Sequence, residues 1–229
     1  PDERFEFDRL LASVDMNLGL LARRRSNFDG AATLYKTAQK LRQATLPVRP
    51  KDPQLRRDLA KGWYNLANLA VDQNDAEGVS DNIELAIAQL EELLGETPDD
   101  LRDRYLLAIC YRLKADLNAA LISVDGSKLT DAIDGYNKAR FAMQDLSGRS
   151  PAVHRYRVEL GQLLMNIGQL EAQQQRYAEA RVALKKAEEV FAELVKEDPN
   201  SSEFQDLLTQ TRAVLEQLTA IEAAASQQK

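Results

Sequence analysis

One histidine, one cysteine and a few paired carboxylates are all that this 229-residue chain offers for catalysis. His154 falls at a predicted helix start beside Arg155, a solvent position. Cys110 lies within the apolar face Leu106, Leu107, Cys110 and Leu113, the setting of a buried, inert thiol rather than a nucleophile. One histidine and one cysteine make no zinc cluster, no Cys–His pair and no Ser-His-Asp set. The pairs Glu91-Glu92, Asp99-Asp100 and Glu188-Glu189 fall at predicted helix surfaces and ends, where solvation is expected rather than acid–base work. No glycine-rich phosphate loop is present. The expectation is a protein that is not an enzyme, with no cofactor and no metal.

Charge narrows the partners. A formal net charge of −6 and a pI near 5.1 argue against nucleic acid, which needs a basic surface to displace phosphate counterions. The run Arg23-Arg24-Arg25 is the best candidate for a local basic, phosphate-binding patch, but it sits where a helix should end, and cations there complement the helix dipole. A single cysteine rules out an intramolecular disulfide. No stretch approaches the ~20 apolar residues of a membrane span, so no membrane insertion is expected. The chain begins at Pro1 rather than methionine, which reads as a piece of a longer protein, with a cytoplasmic setting expected.

The elements that must position any functional residue are helices. Ala, Leu, Gln, Glu, Lys and Arg are abundant, and the 10 glycines and 7 prolines fall mostly between segments. A pattern also returns four times. Leu11, Leu59, Leu106 and Leu160 are each followed six residues later by a polar–aliphatic doublet: Asn17-Leu18, Asn65-Leu66, Arg112-Leu113 and Asn166-Ile167. Downstream an alanine recurs at Ala38, Ala86, Ala139 and Ala187, at spacings of 48, 53 and 48 residues. Such a period belongs to a helix-pair repeat, in which each unit packs only on its neighbours. The leucine anchors and marker alanines then report the stacking core.

Turns and boundaries agree with that period. The first helices should stop at Ser26-Asn27, Asn74-Asp75, Asp125-Gly126-Ser127 and Gln174-Gln175-Arg176. Asp52-Pro53, Thr97-Pro98, Ser150-Pro151 and Asp198-Pro199 each mark the start of a new helix or the last turn before it. The result is one helical repeat domain over 1–229, with units at about 5–50, 51–97, 98–149 and 150–198. A capping helix follows at about 201–224, its stripe of Leu207, Leu208, Val214, Leu215, Leu218 and Ile221 ringed by polar residues. The third unit holds six more residues than the others between Leu113 and Ala139. A longer first helix or an extended turn is expected there, as a tolerated insertion or as a feature of one rim.

These residues resemble the tetratricopeptide repeat (TPR), in a long-repeat bacterial form. Trp63, Leu66, Ala67 and Ala86 match its markers in the second unit, as do Leu18-Gly19, Ala31, Tyr35 and Ala38 in the first. The third supplies Ala132, Tyr136 and Ala139, and the fourth Leu164, Ile167-Gly168, Ala180, Leu184 and Ala187. The usual repeat is about 34 residues. Here the extra length lies mainly after the marker alanine, so the second helices should be extended by about two or three turns. Lys114 and Val79 replace small residues, and Asp15 replaces the tryptophan. The resemblance implies an all-α fold: a right-handed α-solenoid of about four TPR-like helix pairs with extended helices, plus the C-terminal capping helix.

It also implies where a partner binds. In that family the first helices line a concave groove, which places Asn17, Asn65, Arg112 and Asn166 in one row and Met16, Tyr64, Tyr111 and Met165 in the next. Ser13, Lys61, Ala108 and Gln162 lie one turn earlier; Leu20, Asn68, Ala115 and Gln169 lie one turn later. Asparagine can bond both amide and carbonyl of an extended peptide, while Tyr and Met accept apolar side chains. The alternative keeps Asn in helix-to-helix bonds and Tyr and Met in the core. A clamp for a C-terminal carboxylate is matched by Asn17, Asn65 and Arg112, with Lys61 as partial compensation, but Ser13 and Ala108 stand where lysines belong. The functions implied are a scaffold for a peptide or protein partner, a regulatory or sensor segment of a signalling protein such as a bacterial serine/threonine kinase, in contact with that chain's catalytic domain, or a self-assembly module.

Overall fold

Helix formers spaced by three and four residues fold into helices joined by turns, with no strand among the described residues. The computed structural model describes residues 2–227. In chain order the helices are α1 (Asp2–Arg24), α2 (Phe28–Thr45), α3 (Pro53–Asp72), α4 (Ala76–Glu96), α5 (Leu101–Leu121), α6 (Lys128–Arg149), α7 (His154–Gln173), α8 (Tyr177–Glu197) and α9 (Ser202–Gln227). They fall into two compact units, one ending at Leu117 and the next beginning at Asn118, so α5 spans the boundary.

In the first unit the closest packing joins α1 with α2 and α3 with α4; α3 also touches α2 and α1. In the second unit α7 pairs with α8, α6 packs on α7, and α9 covers α8 and touches α7. The three-residue turns within these pairs share one geometry. Ser26, Asn74 and Gln175 adopt left-handed φ values of 58°, 56° and 60°. The next residue's amide reaches back to close the helix: Asn27 to the Ala22 carbonyl, Asp75 to Ala70, and Arg176 to Glu171, at 2.9, 2.9 and 3.0 Å. That is the Schellman closure. Asn27 and Asp75 then serve a second purpose, since their side chains accept from the Gly30 and Gly78 amides and cap α2 and α4.

The proline boundaries divide into the two expected kinds. Asp52 caps α3 by accepting from the Gln54 and Leu55 amides, with Pro53 as first helical residue. Thr97, Ser150 and Asp198 instead close the preceding helices α4, α6 and α8. The added length is more evenly shared than expected. α4, α6 and α8 do run ten residues past their marker alanines. However, first helices are lengthened too, α3 starting ten residues ahead of Trp63. The two extensions need each other: Leu55 and Leu59 on the added turns of α3 bury against Phe5 and Leu46. In the third unit α5 runs eight residues past Leu113, and a six-residue turn precedes α6. Helix and turn are both longer.

Small residues admit large ones between paired helices. A Cβ on Gly19 would stand 2.6 Å from the Tyr35 ring, and one on Gly168 2.6 Å from Leu184. Ala12, Ala31, Tyr35 and Ala38 thereby form one core with Met16, Leu66 and Leu69. Leu164, Ala187, Phe191, Leu194, Phe204 and Leu208 form another in the second unit. The anchor Leu59 is buried at 3%, but Leu11, its equivalent 48 residues earlier, is 39% exposed. Among the described helices, α1 has neighbours on one side only.

Candidate partner-binding surfaces

On α3, Lys61, Tyr64, Asn65 and Asn68 follow one another at three- and four-residue steps and so share a face. Lys61 is exposed, and the other three are half-buried. On the adjacent α1, Ser13, Asn17 and Leu20 share a face in the same way, with Asn17 exposed. The row of residues beside them departs from expectation. Met16 is 8% exposed and sits in the core with Tyr35, Leu66 and Leu69, not on a groove wall. Its sulfur accepts a hydrogen bond from Asn65 Nδ2 at 3.2 Å. Asn65 therefore joins α3 to α1, one of the two roles open to it from sequence. Asn68 donates to the Tyr64 carbonyl at 2.9 Å.

α5 differs from α3. Ala108, expected in line with Lys61, is fully buried. Tyr111 donates its hydroxyl to Glu91 of α4, and Arg112 stands 3.9 Å from Asp116 on its own helix. Lys114 pairs with Glu84 at 3.2 Å. In the second unit Met165 is half-buried and packs on the core residues of α8 and α9, with the Thr211 hydroxyl 3.1 Å from its sulfur. Asn166 is half-buried on the same helix.

A cleft in the second unit lies on a side that sequence reasoning assigned no function. Leu164, Ile167 and Glu171 of α7 form its floor, Asn137 and Arg140 of α6 one wall, and Val182, Ala183 and Lys186 of α8 the other. Its volume is about 430 Å³. A further cleft of about 550 Å³ shares Asn137 and continues past Ile133 and Asp134 towards Arg176. Arg176 pairs with Glu171, which is 9% exposed, at 2.5 Å. On the rim, Val182 is 55% exposed, and Arg140 lies 4.3 Å from the centre of the exposed Phe141 ring. Apolar residues at outward positions of second helices were the sequence signal for it.

Catalytic groupings are missing among the described residues. No group of three or more His, Cys, Asp or Glu could hold a metal ion. Burial drives the Cys110 thiol pKa far upward, which removes it as a nucleophile. His154 lies at the start of α7, 3.2 Å from Glu197 and edge-on to Phe204. The carboxylate pairs do more than meet solvent: Glu92 binds Arg56 at 2.7 Å, Asp100 binds Arg57 at 3.0 Å and Glu188 binds Arg212 at 2.7 Å. No described helix is long and apolar enough to cross a membrane.

No family model matches the sequence, and no curated protein matches it. Solved structures do. BtubC (BKLC) from P. vanneervenii is 17% identical with a TM-score of 0.57, over 98% of this chain and 92% of that one. A thermophilic TPR protein from Thermus thermophilus is 15% identical with a TM-score of 0.35, over 88% and 99%. A TPR repeats protein from Bacteroides fragilis is 18% identical with a TM-score of 0.33, over 89% and 98%. The likeness to BtubC is one of fold, and the chain has a helical-repeat fold of the kind its TPR-like residues imply.

The helical-repeat frame explains the two kinds of site residue. Positions facing the paired helix, such as Gly19 and Gly168, are fixed by contact with Tyr35 and Leu184. Lys61 and Asn17, on faces of first helices turned away from the paired second helix, remain exposed. At identities this low the likeness is one of fold, and what the faces bind must come from their own chemistry.

Proposed function

We propose that this chain is a non-catalytic protein-interaction scaffold that receives an extended peptide or partner segment on the α1–α3 face. The observation that carries the reading is the exposed pair Asn17 and Lys61, flanking the half-buried Tyr64 and Asn65 on adjacent first helices. Asn17 can bond a peptide amide and carbonyl together, Lys61 supplies a cation for an acidic side chain or terminus, and Tyr64 adds an amphipathic ring. Arg112, Tyr111, Met165 and Asn166 belong to the proposed partner-binding set less directly. The first two hold contacts within the first unit, and the last two lie on α7.

A second reading is favoured by the cleft over α7, whose floor joins Leu164 and Ile167 to Glu171 and whose rim is charged, a lining that suits an amphipathic segment. The two are separated by an array of degenerate peptides probed with the wild-type chain, with Lys61→Glu/Tyr64→Ala and with Val182→Asp. Loss of captured peptides in the first variant alone supports the α1–α3 face. Loss in the second alone moves the site to the cleft, and an array left unchanged by both removes the peptide-scaffold reading.

A further inference from the structure

The second face of α1 is apolar and uncovered. Fourteen large hydrophobic side chains are exposed among the described residues, and six of them are on this helix: Phe7, Leu10, Leu11, Val14, Leu18 and Leu21. They recur at three- and four-residue steps and so form one stripe, opposite the buried Phe5, Ala12 and Met16. Leu11 and Leu18 hold the repeat positions of Leu59 and Leu66, which are buried at 3% and 8%. The stripe is thus a stacking face that no described helix covers, on the order of 500 Å² of apolar surface, at the size of the largest patches that monomers expose and that are often functional.

The arrangement of the stripe identifies its occupant. Phe7 and Leu21 stand seven residues either side of Val14, and Leu10 and Leu18 four either side. A second α1 laid antiparallel, with a twofold axis at Val14, therefore places Phe7 beside the partner's Leu21 and Leu10 beside the partner's Leu18. Charge follows the same symmetry. From Asp2 to Asp15 the helix carries five acids and two arginines, and from Met16 to Arg25 three arginines and no acid. Glu3 and Arg25 lie eleven residues either side of Val14, and the Arg25 amide still bonds the Leu21 carbonyl, which keeps it in helical register. Each Glu3 then faces the partner's Arg25, and Glu6, paired within its own chain with Arg9, lies on the same flank as the partner's Arg24. Among the described residues Glu3, Arg24 and Arg25 have no ion pair of their own. Head-to-tail stacking has no such match, because the outward face of α9 presents Gln205, Asp206, Thr209, Arg212 and Gln217.

We propose that the chain forms a twofold-symmetric antiparallel dimer with a second copy of itself through the outer face of α1. A self-complementary patch of this kind closes the assembly at two chains. Two copies together cover about 1,000 Å², in the range of weak and transient interfaces, so association should be reversible and concentration-dependent. Sedimentation equilibrium on the 229-residue chain, over a wide range of concentrations, should carry the mass from one chain to two. Val14→Glu sets two carboxylates against each other on the axis and should abolish the dimer with an unchanged thermal melt, Val14 being 52% exposed. Glu3→Arg or Arg25→Glu alone should weaken association severalfold, and the two together should restore it. Val14→Cys should oxidise to a linked dimer, whereas Phe7→Cys should not, because two Phe7 residues would lie about 21 Å apart along the axis. The buried Cys110 does not compete. A strict monomer, a dimer that survives Val14→Glu, or equal cross-linking at positions 7 and 14 would overturn the proposal.

Discussion

The guanidinium of Arg57 in α3 closes with two nitrogens on the carboxylate of Asp103 in α5, Nη2 lying 2.6 Å from Oδ2. Asp103 is shut off from solvent and Arg57 nearly so. The arginine also meets Asp100 Oδ2 at 3.0 Å and Gln54 Oε1 at 3.0 Å, so its planar fork is held on several sides. Two first helices are thus fastened by charge within a largely apolar core.

Breaking the pair from one side should be severe. Asp103→Ala leaves the Arg57 cation buried with only its flanking partners, and should cost about 3–5 kcal/mol. Replacing both by apolar residues of similar shape, as Arg57→Met with Asp103→Leu, should recover most of that loss. Urea titrations of the three proteins, followed by far-UV circular dichroism, measure the difference. A double variant as unstable as Asp103→Ala would show that the ion pair is itself stabilising.

Asp100 makes the same region sensitive to acid. Its carboxylate accepts from the Arg102 side chain at 2.9 Å and from the Arg102 and Asp103 amides at 2.9 and 3.2 Å, with Arg57 close by. The Arg102 hydrogen bond first, then the amides and the Arg57 charge, hold its pKa at about 2 against an ordinary 3.8. A depressed folded-state pKa stabilises fully above pH 3.8 and is lost as pH falls through 2. Asp100→Asn should therefore be less stable than wild type at neutral pH, with the gap closing as pH falls across that window. Urea midpoints at neutral pH and across the acid range give the comparison, and a gap that stays constant would count against this role.

The helix pairs were legible in sequence because apolar period, turn residues and capping signals are local. Ser26-Asn27, Asn74-Asp75 and Gln174-Gln175-Arg176 fall at the turns themselves. Residues whose surroundings depend on a distant helix were not legible. Met16 and Tyr64 occupy equivalent repeat positions, yet Met16 is in the core and Tyr64 half-exposed. Arg56, Arg57 and Asp103 carry no local signal of burial, yet each is buried and pairs with a residue 36 or more positions away. Leu11 and Leu18 follow the same pattern as Leu59 and Leu66 and differ in that no described helix covers them. A repeat pattern reports which face could stack, not whether a neighbour is present to stack on it.

Gly168 tests the close approach of α7 and α8. Alanine is ordinarily the better helix former by about 1 kcal/mol. Here its methyl would stand 2.6 Å from Leu184 Cγ and 3.1 Å from the Ala180 carbonyl oxygen, and the backbone atom cannot rotate aside. Gly168→Ala should destabilise by about 1–3 kcal/mol, the usual cost of overpacking. Gly95→Ala, near the end of α4 with nothing within 4 Å of the added methyl, is the control and should be neutral or slightly stabilising. Equal effects at the two sites would mean that the α7–α8 pair separates freely.

The left-handed turns invite the opposite experiment. Asn74, at φ 56°, is a residue that tolerates this region, whereas Gln175 at φ 60° carries a longer side chain and no such preference. The Schellman bond from the Arg176 amide to the Glu171 carbonyl keeps Gln175 there, because releasing it would open the end of α7 and shift α8. Glycine reaches the same φ without the Cβ clash, although it also loosens the unfolded chain. Gln175→Gly should therefore gain about 1 kcal/mol, and Asn74→Gly should change stability by only a few tenths. Denaturant midpoints of the two variants decide it. A loss at Gln175 comparable with a glycine placed in a helix interior would show that the Gln175 side chain, and not the turn's backbone, is what the position needs.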